Sequence, residues 1–134
     1  DFSKFESQVD LDDIILFKNF SYDMMPKFYK QFDILFNPVM AEGISRVTLE
    51  AMASGNPVIM LDIGNRYPVI DRTTGFLIKD DINKLLELIK EIRKDKKWLK
   101  MVSKKAREKV LAEFDNSIII PKYERIYDKW LKTN

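Results

Sequence analysis

A chain of 134 residues, 46% hydrophobic and 33% charged, has enough apolar content to bury one core and is short for two ordinary domains. The absence of cysteine and histidine excludes disulfides, thiolate or imidazole metal sites, thiol nucleophiles and imidazole bases, so acid-base chemistry falls to Asp, Glu, Lys, Arg or Tyr. A net charge of +2 does not by itself point to nucleic acid, although Lys90 to Lys109 is rich in lysine and arginine; it reads as a solvated helical face in preference to a membrane or nucleic-acid surface.

In chain order, Ile14–Phe17, Ile34–Phe36, Val58–Leu61 and Phe76–Ile78 are short apolar runs bounded by Pro, Gly, Asn or Asp, and read as buried strands. Between the first two, Met24, Met25, Phe28, Tyr29 and Phe32 recur at helical spacing. Between the next two, Val47, Leu49, Ala51 and Met52 precede Gly55, a residue suited to ending a helix. Strands alternating with helices predict an α/β fold, a Rossmann-like parallel sheet flanked by helices. After Ile78 the pattern is helical only. One helix is expected from an Asp80 or Asp81 cap with an inward stripe of Ile82, Leu85, Leu86, Ile89 and Ile92, and a second over roughly Lys96–Phe114 with Leu99, Val102, Ala106 and Val110 inward. A third is expected to start near Pro121, after the apolar Ile118–Ile120, with Tyr123, Ile126, Tyr127, Trp130 and Leu131 on one face.

No repeat or linker interrupts the chain, which reads as one unit. It shows neither an apolar run of about eighteen residues nor a leader with a cleavage site, so the expectation is a cytoplasmic location.

The segment AEGISRVTLEAMASG stands apart. From Ile34 to Ile63 only Glu42, Arg46, Glu50 and Asp62 ionise, and seven residues separate the two glutamates. Asn37 to Ser45 carries the chain from a strand end to a helix start, the place where open α/β sheets bind ligands and where free helix amides favour anions. A diphosphate there would accept hydrogen bonds from the amides of Ile44, Ser45 and Arg46, each contributing roughly 1.5–3 kcal/mol before ordering costs. At helical rise Glu50 lies about 12 Å beyond Glu42. That is too far for a paired acid and nucleophile, which need about 5 Å, but suits a grip on two ends of an elongated ligand. Carboxylates accept from vicinal hydroxyls, so a sugar at Glu42 and a ribose at Glu50, bridged by phosphates, use all three features. Two plainer readings stay open: an Arg46–Glu50 ion pair of about 0.3–0.5 kcal/mol, and Ser45 as no more than a helix cap.

Taken together, DILFNP from Asp33, EGISRVTLEAMASGNPVIM from Glu42 and TGFLI from Thr74 resemble the carboxyl-terminal domain of family 4 glycosyltransferases with the GT-B fold. Weaker similarity runs from about Val9 to about Tyr127. The resemblance implies a single, partial nucleotide-sugar-binding domain over residues 1–134, the donor-binding part of a retaining glycosyltransferase of hexosyltransferase type. It implies that Glu42, the expected catalytic residue, meets the donor sugar, that backbone from Gly43 to Ser45 holds phosphate, and that Glu50 meets ribose. It further implies no cofactor, the nucleotide-sugar being a substrate, and no metal. The acceptor, a sugar or lipid-linked sugar, would sit on an amino-terminal domain that this sequence does not include. The basic Arg and Lys that neutralise the departing diphosphate in the family also precede this region, so the piece alone is expected to be nearly inactive. Self-association through the last helix and peripheral contact with a membrane are further expectations.

The chain departs from the family pattern at Val39, at Ile44–Ser45 where Phe-Gly is common, and at Asp62–Pro68, which replaces a Gly-Gly-x-x-Glu loop. Alternatives of other classes are a non-catalytic Rossmann-like binding or assembly module and a nucleotide-sugar epimerase.

Overall fold

The computed structural model describes residues 17, 21–40 and 44–133. Among these, a 3-10 turn at Tyr22–Met24 leads into α1 (Met25–Tyr29), followed by β1 (Leu35–Asn37), α2 (Arg46–Ala53), β2 (Val58–Leu61), β3 (Gly75–Ile78), α3 (Ile82–Lys94), α4 (Lys96–Phe114) and α5 (Asn116–Thr133). The three strands form one parallel sheet in the order β1-β2-β3, with Phe36 opposite Ile59 and Ile59 opposite Phe76. The expected α/β sheet flanked by helices is therefore present. Of the expected strand at Ile14–Phe17, only Phe17 lies within the described residues, its ring edge-on to Phe28 at 4.8 Å.

β2 is buried on both faces, which explains why VIML is apolar without alternation. Side chains alternate across a strand, so Val58 and Met60 join one core cluster with Ala51, Met52, Tyr29, Ala106 and Val110. Ile59 and Leu61 join another with Phe76, Leu88, Ile92, Leu99 and Val102. α4 spans both clusters, its first half in one and its second half in the other, and so locks the two sides of the sheet together.

The helix boundaries follow identifiable chemistry. α2 ends in a Schellman motif, with the Gly55 amide donating to Met52 O at 3.0 Å, the Asn56 amide donating to Ala51 O at 2.9 Å, and Gly55 at φ +91. The Asp81 carboxylate caps α3 through Asn83 N at 2.8 Å, and Asp95 caps α4 through Trp98 N at 2.8 Å. Two expectations need correction. The inward stripe of α3 has a different phase: Leu88 and Ile92 are buried and Leu85 is half-buried, whereas Ile82, Leu86 and Ile89 are exposed. The last helix begins at Asn116, not near Pro121, because the Asp115 carboxylate caps it through Ser117 N at 2.9 Å, leaving Pro121 inside the helix.

β3 approaches β2 closely at Gly75. A Cβ there would stand 2.6 Å from Val58 O and 2.8 Å from Val69 Cγ1, and the first of these is backbone that cannot swing away. Thr74 beside it is buried, its hydroxyl donating to Pro68 O at 2.9 Å and accepting from Ile70 N at 2.8 Å. The Thr-Gly pair is thus required by packing. Gly75→Ala is expected to lower unfolding free energy by about 1–3 kcal/mol through overpacking, read as a reduced urea midpoint at unchanged slope.

Candidate functional site

The carboxyl end of β1 and the start of α2 are joined by a hydrogen bond from Asn37 Nδ2 to Thr48 Oγ1 at 3.1 Å. Ser45 is the N-cap in an extended conformation, but its side chain makes no capping bond, so the reading of Ser45 as only a helix cap loses its mechanism. The first α2 turn closes with Leu49 N to Ser45 O at 3.1 Å, which leaves the amides of Arg46, Val47 and Thr48 ahead of the helical ladder. Ile44 and Arg46 are exposed and Ser45 is half-buried at this end. Glu42 and Gly43 lie outside the described residues.

Glu50 sits one turn into α2 on the same face as Arg46. Its carboxylate accepts from the Tyr22 hydroxyl at Oε1 and the Tyr29 hydroxyl at Oε2, both at 3.4 Å, and Arg46 Nη2 approaches Oε1 at 3.9 Å. The Arg46 guanidinium lies 5.7 Å from the Tyr22 ring centre. These contacts are long, and the Arg46 side chain is 79% exposed, so the ion pair contributes at most about 0.3–0.5 kcal/mol. A carboxylate that is 27% exposed therefore keeps unspent acceptor capacity toward the space beside it. That space is a cavity of about 360 Å³ bounded by Tyr22, Met25, Tyr29, Glu50, Arg107 and Leu111 among others, at the lower end of the range for small-molecule sites.

The cavity wall is braced from below. Buried Asn56, in the turn that closes α2, donates through Nδ2 to the Tyr29 carbonyl, and the Arg107 guanidinium donates to Ala53 O at the α2 carboxyl end. Burial first, then the Glu50 charge and hydrogen bond, push the Tyr29 hydroxyl up from 10.0 to about 12, so it stays a proton donor across the physiological range.

Sequence reasoning brought out Glu50 and Arg46 but not Tyr22, Tyr29 or Arg107. Tyr29 reads as one member of an apolar helical stripe, and only the tertiary fold sets its hydroxyl against a carboxylate 21 positions away. The divergent Asp62–Pro68 loop is tied to protein groups: buried Arg66 donates from Nε to Leu61 O at 2.8 Å, while Tyr67 meets Glu113 through its hydroxyl and Lys109 over its ring at 4.6 Å.

The strand-end junction, the half-buried carboxylate and the parallel sheet are a combination that comparison with known proteins can place. Residues 2–95 match the family model described as glycosyl transferases group 1. The chain belongs to that family. Among curated proteins, this group 1 chain is 28% identical over 121 residues to the capsular polysaccharide biosynthesis glycosyltransferase CapM of Staphylococcus aureus, covering 89% of the chain and 31% of that protein. It is 30% identical over 109 residues to the UDP-Gal:alpha-D-GlcNAc-diphosphoundecaprenol alpha-1,3-galactosyltransferase of Escherichia coli, covering 80% of the chain and 27% of that protein. Sucrose-phosphate synthase of Thermosynechococcus elongatus superposes with a TM-score of 0.88 at 26% identity, over 99% of the chain and 34% of that structure. The chain thus spans about a third or less of the length of these relatives, and its fold is that of GT-B glycosyltransferases.

The raised Tyr29 value carries a sign. A hydroxyl held neutral in the folded state adds stability that is complete below pH 10.0 and is lost as pH rises toward about 12. Urea unfolding of the wild type is expected to weaken through that window more steeply than unfolding of Tyr29→Phe, while the two have parallel profiles at lower pH.

Proposed function

We infer that this chain is the donor-binding part of a retaining glycosyltransferase, which moves a sugar from a nucleotide-diphosphate sugar to an acceptor. The observation that carries the reading is Glu50: a half-buried carboxylate, one turn inside a helix that starts at a strand end, with only long contacts to protein donors and a cavity beside it. The family membership and the Escherichia coli relative, a UDP-Gal-dependent galactosyltransferase, support a nucleotide-sugar donor.

In this reading the diphosphate lies at the α2 start on the amides of Ile44, Ser45 and Arg46, where the helix dipole and free N–H groups offset its charge. Glu50 accepts from the ribose hydroxyls, and Tyr29, fixed by Asn56 and protonated, holds the carboxylate toward them. Glu42, together with backbone at Gly43, completes the site at the sugar, where hydroxyl contacts orient the anomeric carbon. Charge develops on the diphosphate as the glycosidic bond to it breaks, so groups aimed at that charge accelerate the step more than they tighten ground-state binding. The Arg and Lys that the family resemblance assigns to this task, and the acceptor site, belong to elements outside this sequence. Residues 1–134 therefore form one partial domain with little activity alone, and the acceptor, a sugar or lipid-linked sugar, is met elsewhere in the intact protein.

A second reading, an assembly role, is favoured by one observation. The α5 face of Tyr123, Ile126, Tyr127, Trp130 and Leu131 is exposed, each residue at 59–66%. Concentration-dependent dimer in sedimentation, lost in Trp130→Ser, together with a lack of transferase activity in the intact protein, would favour this role.

The donor reading is tested by calorimetry of UDP-, GDP- and ADP-sugars on the intact protein. One of them is expected to bind, and Glu50→Gln to weaken that donor by about 10- to 150-fold, the equivalent of a charge-assisted bond of roughly 1.5–3 kcal/mol. Wild-type affinity in Glu50→Gln would refute the ribose contact. Glu42→Gln is expected to reduce turnover far more than nucleotide affinity.

A further inference from the structure

α3, α4 and α5 each begin on an aspartate that caps them: Asp81, Asp95 and Asp115. α2 does not. Ser45 makes no side-chain capping bond, the first turn has no acidic residue, and a cation, Arg46, stands at the first helical position. Local chemistry therefore does little to fix where this helix starts. Packing against β1 fixes it instead. Leu35 and Asn37 share one side of β1, and Leu35 lies against the core cluster that holds Ala51 and Met52 of α2. Asn37 is two strand steps further on, about 6.6 Å, and meets Thr48, which stands three to four helical residues before Ala51 and Met52, about 4.5–6 Å. The helix thus runs back over the strand with two points of attachment. One is apolar and tolerates a small slide; the other is the directional bond from Asn37 Nδ2 to Thr48 Oγ1 at 3.1 Å. Thr48 is 2% exposed, and Asn37 is half-buried as the last residue of β1, opposite Met60.

We propose that Asn37 and Thr48 are positioning residues of the donor site: their bond sets the axial register of α2 on β1, and with it the depth at which the amides of the helix start stand beyond the strand end. This role rests on the donor reading of the same site and deepens it. Thr48 suits the task because it carries both the buried hydroxyl and one of the three amides that lie ahead of the helical ladder, so a slide of α2 moves the bond and the phosphate seat together. An apolar pair of the same shape at these two positions would hold the core about as well. What the polar pair adds is a single preferred register, as buried polar groups do where helices pack. The effect falls on the phosphates more than on the nucleoside. Glu50 meets its ligand through a side chain that can adjust its rotamer to a small slide, whereas backbone amides cannot be re-aimed without moving the helix.

The test is calorimetry of the intact protein with the nucleotide sugar that it binds, the matching nucleoside diphosphate and the matching nucleoside, with urea unfolding alongside. The wild type is expected to bind the diphosphate more tightly than the nucleoside. Thr48→Val and Asn37→Leu, each close to the native side chain in shape, should cut that ratio by about tenfold and slow turnover by about 10- to 100-fold, the range for a misplacement of up to about 1 Å, with nucleoside affinity held within about twofold. Thr48→Ser, which keeps the hydroxyl, should keep the ratio. The combined variant Asn37→Leu with Thr48→Val separates positioning from packing. Its urea midpoint is expected near the wild-type value, because neither partner is left unpaired, while its ratio stays as low as in the single variants. Recovery of the ratio together with the midpoint would overturn the proposal, since the pair would then be ordinary packing. So would wild-type ratios in both single variants, or equal losses for nucleoside and diphosphate. Asn37→Leu lies at a half-buried strand end and carries the comparison by itself if the buried Thr48→Val variant unfolds. A wild type that binds no nucleotide sugar sinks the donor reading and this role with it, whereas a donor bound with indifference to both residues sinks this role alone.

Discussion

The bond from Asn56 to the Tyr29 carbonyl joins the core of this protein to its candidate site. Asn56 is placed by the Schellman closure at Gly55, which fixes where α2 stops and β2 starts. β2 is in turn fixed by burial of its side chains on both faces. One end of this chain of constraints is apolar packing and the other is a tyrosine hydroxyl 3.4 Å from a carboxylate. Removing the turn geometry would shift α1 relative to α2 and so move Tyr29 and Tyr22 away from Glu50. The site is therefore positioned by the packing of the sheet, without needing strong bonds of its own.

That arrangement also explains why the Glu50 contacts are long. A carboxylate held by short charge-assisted bonds has its lone pairs spent and gains little from a ligand, whereas one that is positioned by packing and only loosely paired can exchange weak partners for better ones. The same logic separates Glu50 from the other ionic groups on the surface. Glu113, Glu87 and Glu91 each have a cation at 2.7–3.0 Å, and their carboxylates are structurally occupied.

Much of the fold is legible in the residues because several local signals agree. VIML, short, rich in β-branched and apolar residues and bounded by Pro57 and Asp62, reads as a buried strand, and its observed bounds match the expected ones. Gly55 supplies the left-handed residue that α2 needs, and Asp81 the cap of α3. Where signals compete, sequence reasoning misleads. Asp115 and Pro121 are both helix starts in form, and the one that makes a capping bond sets the boundary. In α3 the apolar residues cover two adjoining faces, so the period is plain but the phase is not, and only contact with Phe76 and α4 selects Leu88 over Leu86. The candidate site divides the same way: the glutamate and the helix start are written locally, while the tyrosines that aim the glutamate come from a separate element.

The ends of the sheet carry different chemistry. α2 starts at the carboxyl end of β1, whereas the first turns of α4, with Lys96 and Lys100, share a cleft with Phe32, Asp33, Gly55 and Asn56, which precede β1 and β2 at the amino end. α3 returns from the carboxyl end of β3 to that opposite corner, so its exposed ridge runs along the side of the sheet from one end toward the other. The chain combines a small net charge with a strongly basic edge because 18 of its 21 acidic residues lie outside Lys90–Lys109. The packing of α4 across both core clusters ties the two regions together: its first half presents lysines at the basic corner, and its second half, through Arg107, closes the floor beneath Glu50.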